Sequence, residues 1–326
     1  MRTLLRLFPV AIIVAAAWLG WALFLPVRPA GQKFVMLRPG FSTRRIANEL
    51  KSAGVIRSAD ALIAWHYLHH RRSLKAGEYL FEKEATPLEI HQRLVVGDIY
   101  VHTVVIPEGF NIFDIAQAMQ DAGLCTKQEF LVAEMNGSGL VNDLAPDAKT
   151  LEGFLFPNTY DFTRTQSTQE MLEAMVKQFR LVAKQIGLTS DVMKTVIMAS
   201  IIEKETSVPE ETPIVASVYY NRLNKNMALQ ADPSVIYAEL LAEKYTGALH
   251  HEDMQFSSAY NTYIHAGLPP GPIANPGKAS LEAAMHPAVT NYLYFVSDGN
   301  GHHRFAQSLE EHNKNVAAYR RAMEGK

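Results

Sequence analysis

An internal repeat in the first half of the sequence limits the architectures open to this chain. Residues 34–55, FVMLRPGFSTRRIANELKSAGV, align without gaps with residues 103–124, TVVIPEGFNIFDIAQAMQDAGL, so that Gly40 matches Gly109. Each copy predicts a short strand, a turn at glycine, an amphipathic helix and a glycine that ends the helix. The repeat therefore predicts two modules of the same architecture.

The repeated unit, followed by a second helix, resembles a LysM-type module, a small fold that often binds N-acetylglucosamine polymers. Between the copies, residues 75–81 predict a strand, and residues 86–95 predict a helix with Thr86 as its cap. We assign residues 31–150 to this LysM-like repeat region. Whether the modules bind sugar or only position the rest of the chain stays open, because a fold does not determine its ligand.

The N-terminal segment is apolar and uncharged from residue 7 to residue 25. This length suits a bilayer crossing, which takes roughly 17–25 residues. Arg2 and Arg6 precede the run and only Arg28 follows closely, which places the later residues outside the cytoplasm. We predict a cytoplasmic tail at 1–6, a transmembrane helix at 7–26 and a single-pass inner-membrane protein facing the periplasm. The alternative is a cleaved secretion signal.

Composition excludes several function classes. Thirty-one Lys and Arg against 33 Asp and Glu leave a net charge of −2, which offers no basic surface for nucleic acid. A disulfide within the chain is impossible because Cys125 is the only cysteine. Histidines occur in adjacent pairs at 69–70, 250–251 and 302–303, and neighbours on a helix do not face one site. We expect no metal, no cofactor and no nucleic-acid partner.

Helical periodicity dominates the chain after about residue 150, where we place a domain boundary. Residues 291–297 predict a strand and residues 298–301 a turn into a second strand. The predicted fold class is α+β, with an N-terminal transmembrane helix, LysM-like β/α modules and a mainly helical domain at 151–326 with a small β element. The helices are predicted at 167–186, 191–206, 208–224, 233–243 and 308–323.

Glu205 is the strongest candidate for acid/base chemistry. On a helical wheel at about 100° per residue, Glu205 falls within the apolar arc of its helix and Glu203 falls on the other side. A carboxylic acid held against apolar surface has a raised pKa, which suits a general acid. The alternative is a solvated carboxylate at a frayed helix end, which is common in proteins.

The loops that follow this helix are rich in aromatic and amide residues, and aromatic rings with Asn, Gln and Arg donors are the usual lining of a sugar cleft. The run of proline and glycine at 267–277 has an alternative interpretation as a stiff connection. For Asp232-Pro233 the alternative to a role in the cleft is a helix N-cap followed by proline at the first helical position. The segments are residues 219–223 (YYNRL), 229–235 (LQADPSV), 259–263 (AYNTY) and 267–277 (GLPPGPIANPG).

These motifs, with residues 199–206 (ASIIEKET), resemble those of the endolytic murein transglycosylases, the MltG or YceG-like family. Residues 152–160 (EGFLFPNTY) resemble the family's entry motif, although Asn158 stands where Asp is more usual. The resemblance covers nearly the whole chain, and it implies a lysozyme-like catalytic domain. It also implies lyase-type cleavage of the β-1,4 bond between N-acetylmuramic acid and N-acetylglucosamine.

The resemblance assigns Glu205 as the single acid/base. It implies peptidoglycan strands as substrate and peptidoglycan synthases as partners. The candidate substrate-binding residues are Glu152, Tyr160, Asn221, Arg222, Gln230, Asp232, Ser234, Tyr260, Asn261, Thr262 and Tyr263.

Two alternatives stay open. One is a non-catalytic, membrane-anchored scaffold that binds peptidoglycan. The other is a water-using muramidase, which needs a second carboxylate. The sequence candidates for this second carboxylate are Glu152, Asp232 and Glu203.

Overall fold

The computed structural model describes residues 2–69 and 72–324, and their contacts divide into two units. Met1 of the predicted tail, His70 of the first histidine pair and the last two residues of the predicted C-terminal domain lie outside the described residues. The first unit holds the chain up to Thr103 together with Asp161–Ser167. The second holds Val104–Tyr160 and the chain from Thr168 onward.

The first unit contains four helices and two paired strands in its described part. Its elements are α1 (Arg2–Phe24), β1 (Lys33–Leu37), α2 (Thr43–Ser52), α3 (Ala59–Leu68), β2 (Gly77–Phe81) and α4 (Pro87–Val96). Strands β1 and β2 are antiparallel, with Val35 opposite Tyr79. Thr86 caps α4 in a reciprocal capping box with Glu89, which confirms the predicted helix start.

Strands β3 (His102–Ile106) and β4 (Asn158–Phe162) pair with each other, and the division between the units falls within both. The second unit is mainly helical. Its elements are α5 (Ile112–Asp121), α6 (Lys127–Met135), α7 (Thr168–Ile186), α8 (Val192–Glu205), α9 (Thr212–Asn224), α10 (Asp232–Leu241), α11 (Lys278–Met285), β5 (Tyr294–Ser297), β6 (His303–Ala306) and α12 (Leu309–Glu324).

Both copies of the repeat form the predicted strand, glycine turn and helix. β1 leads through Gly40 to α2, and β3 leads through Gly109 to α5. The φ angles of Gly40 and Gly109 are +84° and +78°, a left-handed conformation that residues with a Cβ adopt only at a cost. The helix caps also correspond, since Ser42 and Asn111 occupy matching positions of the repeat. Similarity to LysM modules stays a prediction.

The α+β class is confirmed, but the predicted transmembrane helix at 7–26 is wrong. In the described part of the chain no helix combines the length and the apolar character needed to cross a bilayer. The end of α1 instead packs inside the first unit, where Ala22 and Leu23 are buried with Ala61 of α3. The predicted single-pass location in the inner membrane depended on that helix and is wrong on the same ground.

Helix α8 is the centre of the second unit. Its residues are buried on every side from Thr195 to Ile202, as expected for a helix that is apolar all round. It packs against α9, α10 and α11. Because these neighbours enclose α8, its C-terminal end at Glu205 has a fixed position among them.

Candidate active site

Glu205 is the last residue of α8 and lies half-buried against α9. The hydroxyl of Tyr219 on α9 donates a hydrogen bond of 2.6 Å to Oε1 of Glu205. Tyr219 is itself buried. The wheel placed Glu205 on the apolar side of its helix, and this is the side on which the helix meets Tyr219.

Burial raises the pKa of Glu205 to about 7. The hydrogen bond from Tyr219 and the charge of Arg222 act in the opposite direction and lower this pKa, while the charge of Asp232 raises it. A carboxylic acid with a pKa near 7 is protonated in a large fraction of molecules at neutral pH, as a general acid must be.

A cavity of about 320 Å³ opens at Glu205. Of the predicted substrate-binding residues, Arg222, Gln230, Asp232 and Tyr263 line it. Its remaining lining residues were not in the predicted set. They are Tyr219, Leu229, Phe295, Val296, His312 and Val316.

Arg222 fixes the loops around the cavity. Its Nε donates to the carbonyl of Leu293 at 2.7 Å, and its Nη1 donates to the carbonyl of Leu229 at 2.8 Å. The same Nη1 lies 3.2 Å from Oε1 of Gln230, whose φ of 54° is left-handed and unusual for a residue with a Cβ. Strained backbone such as that of Gln230 clusters at functional sites. Burial lowers the pKa of Arg222.

Asp232 accepts a short hydrogen bond from the hydroxyl of Tyr263 and carries an exposed side chain at the start of α10. The helix cap is Ala231, and it makes no side-chain cap hydrogen bond. The interpretation of Asp232 as an N-cap is therefore wrong. Its carboxylate instead belongs to the cavity, where its charge acts on Glu205.

Three of the predicted residues are buried beneath the cavity loops. The hydroxyls of Ser234 and Thr262 lie 2.8 Å apart, and Thr262 accepts a hydrogen bond of 3.0 Å from the amide of Ala231. Asn261 donates to the carbonyls of Met254 and Phe256. These contacts hold the loop before α10 against the loop at 260–263, so the three residues position the loops that carry Asp232 and Tyr263.

Three other predicted residues lie away from the cavity. Asn221 donates to the carbonyls of Thr290 and Tyr292, at 2.9 and 3.0 Å. Tyr160 is buried and donates to the carbonyl of Phe156. The ring of Tyr260 packs against that of Tyr237, with centroids 5.2 Å apart.

Glu152 is buried outside the cavity and accepts hydrogen bonds from the amide of Ile112 at 2.9 Å and the side chain of Asn275 at 2.8 Å. Burial raises its pKa to about 8. Glu203 accepts from the amide of Gly277 at 2.9 Å. Of the three carboxylates considered as a second catalytic group, the described residues place only Asp232 in the cavity with Glu205.

Tyr219 and Arg222 share a face of α9 because they are three residues apart, and this spacing was a usable signal for Tyr219. Phe295 and His312 reach the cavity from β5 and α12, and no spacing in the sequence connects them with Glu205. Within the described residues, no group of three or more His, Cys, Asp or Glu side chains could hold a metal ion. His302 and His303 each place Nδ1 within hydrogen-bond distance of the Glu211 carboxylate.

The YceG-like family model matches residues 35–318. The chain is similar to a protein of Bacillus subtilis named endolytic murein transglycosylase, with 35% identity over 94% of this chain and 91% of the relative. A protein of the same name from Streptococcus pneumoniae is 28% identical over 95% of this chain and 63% of the relative. The crystal structure of a YceG-like protein from Listeria monocytogenes superposes with a TM-score of 0.57 and 32% identity, covering 87% of this chain and 98% of that one.

Proposed function

The chain belongs to the YceG-like family, and from that membership we propose that it is an endolytic murein transglycosylase, a lyase that cuts peptidoglycan strands. The observation that carries the proposal is Glu205, an acid with a pKa of about 7 that opens onto a cavity and is hydrogen-bonded by Tyr219. The residues that line the cavity lie between 205 and 316, inside the segment 151–326 to which we assign catalysis.

The proposed bond is the β-1,4 linkage between N-acetylmuramic acid and N-acetylglucosamine. Protonated Glu205 donates its proton to the glycosidic oxygen as that bond breaks. The resulting carboxylate then accepts the proton of the muramic acid C6 hydroxyl, whose oxygen attacks C1. A 1,6-anhydro ring closes, no water is consumed, and Glu205 returns to its protonated state.

A single acid/base donates a proton and accepts one in the same cycle. Its pKa therefore suits the reaction best when it lies near the working pH, where both protonation states are populated. The environment of Glu205 supplies opposing influences on that pKa. Burial and Asp232 favour the protonated form, while Tyr219 and Arg222 favour the carboxylate. These opposing influences leave the pKa of Glu205 at about 7, so that its protonated and ionised forms are both populated near neutral pH.

A water-using muramidase is the second candidate, and the presence of Asp232 in the same cavity favours it. Hydrolysing glycosidases use two carboxyl groups, one as the acid and one as the base or nucleophile. The two reactions differ in their products, since hydrolysis leaves reducing muramic acid ends. The hydroxyl of Tyr263 donates a hydrogen bond to one carboxylate oxygen of Asp232. This contact supports a positioning role for the Asp232 carboxylate.

The endolytic part of the proposal is tested with the full chain and un-cross-linked glycan strands of known length. Cuts at internal bonds lower the mean strand length early in digestion, before disaccharides accumulate. Disaccharide release at nearly constant strand length would contradict the proposal.

Peptidoglycan synthases stay proposed partners because they make the strands that this reaction consumes. Sugar binding by the repeat region at 31–150 is also a proposal.

A further inference from the structure

Glu211, the residue immediately before α9, carries a buried carboxylate that the proposed reaction does not use. Only 9% of the residue is exposed. Its Oε2 lies 2.7 Å from Nδ1 of His303, and its Oε1 accepts a hydrogen bond of 3.1 Å from the backbone amide of His303. Nδ1 of His302 lies 3.1 Å from the same Oε1. Burial of a carboxylate is costly unless it is hydrogen-bonded, and these contacts supply that compensation.

His303 is the stronger of the two histidine partners of Glu211. Its side chain is 15% exposed, whereas that of His302 is 62% exposed, and contacts in water contribute little. Burial raises the pKa of Glu211, but the hydrogen bonds from His303 and His302 outweigh burial and lower that pKa below its ordinary value. An ionised carboxylate only accepts hydrogen bonds, so the ring nitrogen of His303 that faces it carries a proton.

The two histidines lie at the turn end of the hairpin formed by β5 and β6, and β6 begins at His303. The opposite end of the hairpin is held by α9 as well. Asn221 and Arg222 donate to carbonyls in the segment that leads into β5. The hairpin is therefore fastened to α9 at both ends, by Glu211 at the start of the helix and by Asn221 and Arg222 near its end.

Between these two ends, β5 brings Phe295 to the cavity that opens at Glu205. The ring of Phe295 packs edge-on against that of His303, with centroids 5.4 Å apart and an angle of 88° between the planes. The same ring packs against Tyr219, with centroids 5.9 Å apart and an angle of 86°. Tyr219 in turn donates its hydrogen bond to Glu205. A continuous line of contacts thus connects Glu211 with Glu205 through three rings.

We propose that Glu211 is a positioning residue, which holds the hairpin of β5 and β6 so that Phe295 forms an apolar wall of the cavity for a sugar ring. The proposal rests on the proposed function in one respect, that the ligand is a glycan strand. Phe295 is half-buried and lines the cavity, so part of the residue is accessible from it. Aromatic side chains supply the apolar lining against which ligands pack. Glu211 takes no part in the proton transfers and acts through the hairpin.

Two substitutions separate the position of the Glu211 carboxylate from its charge. Glu211→Asp keeps the charge but withdraws the carboxylate from His303 by the length of one methylene. Glu211→Gln removes the charge but keeps the length, and its amide can accept from the backbone of His303 and donate to a neutral imidazole. Both are made in a parent, the full chain carrying Glu205→Gln, so that cleavage does not interfere. Isothermal titration calorimetry then measures the affinity for a tetrasaccharide of alternating N-acetylglucosamine and N-acetylmuramic acid.

We expect Glu211→Asp to bind the tetrasaccharide about fivefold more weakly than the parent, and Glu211→Gln to bind within about twofold of the parent. Phe295→Ala should weaken binding about tenfold, because it removes the aromatic wall. Glu211→Asp added to Phe295→Ala should cause no further loss, since the effects of residues that act through one another are not additive. A contact that only stabilises the fold would lower the thermal midpoint of Glu211→Asp and leave its affinity unchanged.

A second measurement does not depend on sugar. The nuclear Overhauser effect between the ring protons of Phe295 and Tyr219 in the unliganded parent should weaken with Glu211→Asp and persist with Glu211→Gln. An unchanged effect in the Asp variant, or equal affinities of parent and Asp variant, would overturn the positioning role while leaving the proposed function intact. A parent that binds no tetrasaccharide would contradict the proposed function, and a weakened effect in the Asp variant would then still support the positioning of Phe295 by Glu211.

Discussion

The hydroxyl of Tyr219 donates a hydrogen bond of 2.6 Å to Glu205, which joins the last residue of α8 to the middle of α9. This contact lowers the pKa of Glu205, whereas burial of the same carboxyl raises it to about 7. The acid strength of the site is therefore set by two helices that the sequence separates by a turn containing Pro209. Changes to either partner should be visible in the pH dependence of the reaction.

Glu205→Gln should abolish most of the activity, because glutamine can neither donate nor accept the required proton. A loss of about 10²–10⁴-fold is expected for removal of a general acid/base. The measurement is the release of soluble fragments from purified peptidoglycan. Glu203→Gln is the matched control, since Glu203 bonds the amide of Gly277 and does not line the cavity. Equal losses in both variants would contradict the assignment of Glu205.

Tyr219→Phe should shift the pH–rate profile to higher pH. The tyrosine lowers the pKa of Glu205, so its removal raises that pKa, and the protonated acid persists to higher pH. The alkaline limb of the profile should therefore move upward in pH by a measurable fraction of a unit. Tyr220→Phe serves as control because the hydroxyl of Tyr220 donates to the carbonyl of Ala284 instead. An unshifted limb in the Tyr219 variant would argue against this coupling.

Asp232→Asn should shift the alkaline limb in the opposite direction. The charge of Asp232 raises the pKa of Glu205, and its neutralisation lowers that pKa. A substantial part of the activity should survive, since the lytic mechanism uses one carboxyl group. The comparison is Asp191→Asn, at the far end of α8. Loss of activity as deep as that of Glu205→Gln would favour the two-carboxylate muramidase.

Glu152→Gln should make folding stability less dependent on pH. In the folded chain burial raises the pKa of Glu152 to about 8, from an ordinary value of 4.5. The folded state therefore holds a proton that the unfolded state releases, and the stability from this group is lost as pH rises from about 5 to about 8.

The thermal midpoint of the wild type should consequently fall more steeply between pH 5 and pH 8 than that of the glutamine variant. Glutamine keeps an oxygen that can accept from Ile112 but does not ionise. Glu310→Gln, at an exposed position on α12, should follow the wild type. Parallel curves for the wild type and Glu152→Gln would contradict the raised pKa.

Local pattern accounts for much of the fold. The helix predicted at 167–186 is observed as Thr168–Ile186, and the helix predicted at 308–323 as Leu309–Glu324. The helix predicted from 208 begins only at Thr212, because Pro213 fits the first turn of a helix and fixes the start there. Periodicity identifies such elements well, while their first residues depend on caps and prolines.

The remaining features depend on packing that no local pattern encodes. The apolar run at the N-terminus was predicted to span a membrane, but no helix of the described residues is long and apolar enough to do so, and Ala22 and Leu23 are buried against α3. The sequence of the run alone does not show which of its residues the folded chain buries. Likewise, His312 reaches the cavity of Glu205 only because α12 packs against β5. The partial burial of Glu205 was predictable because Glu205 lies on the apolar side of its own helix.

The most direct test of the account is mass spectrometry of the ends that the full chain leaves on purified peptidoglycan. The account predicts muropeptides that end in 1,6-anhydro-N-acetylmuramic acid, and predicts their disappearance with Glu205→Gln. Reducing N-acetylmuramic acid ends, with one water added per cut, would contradict the single acid/base mechanism and assign Asp232 a catalytic role.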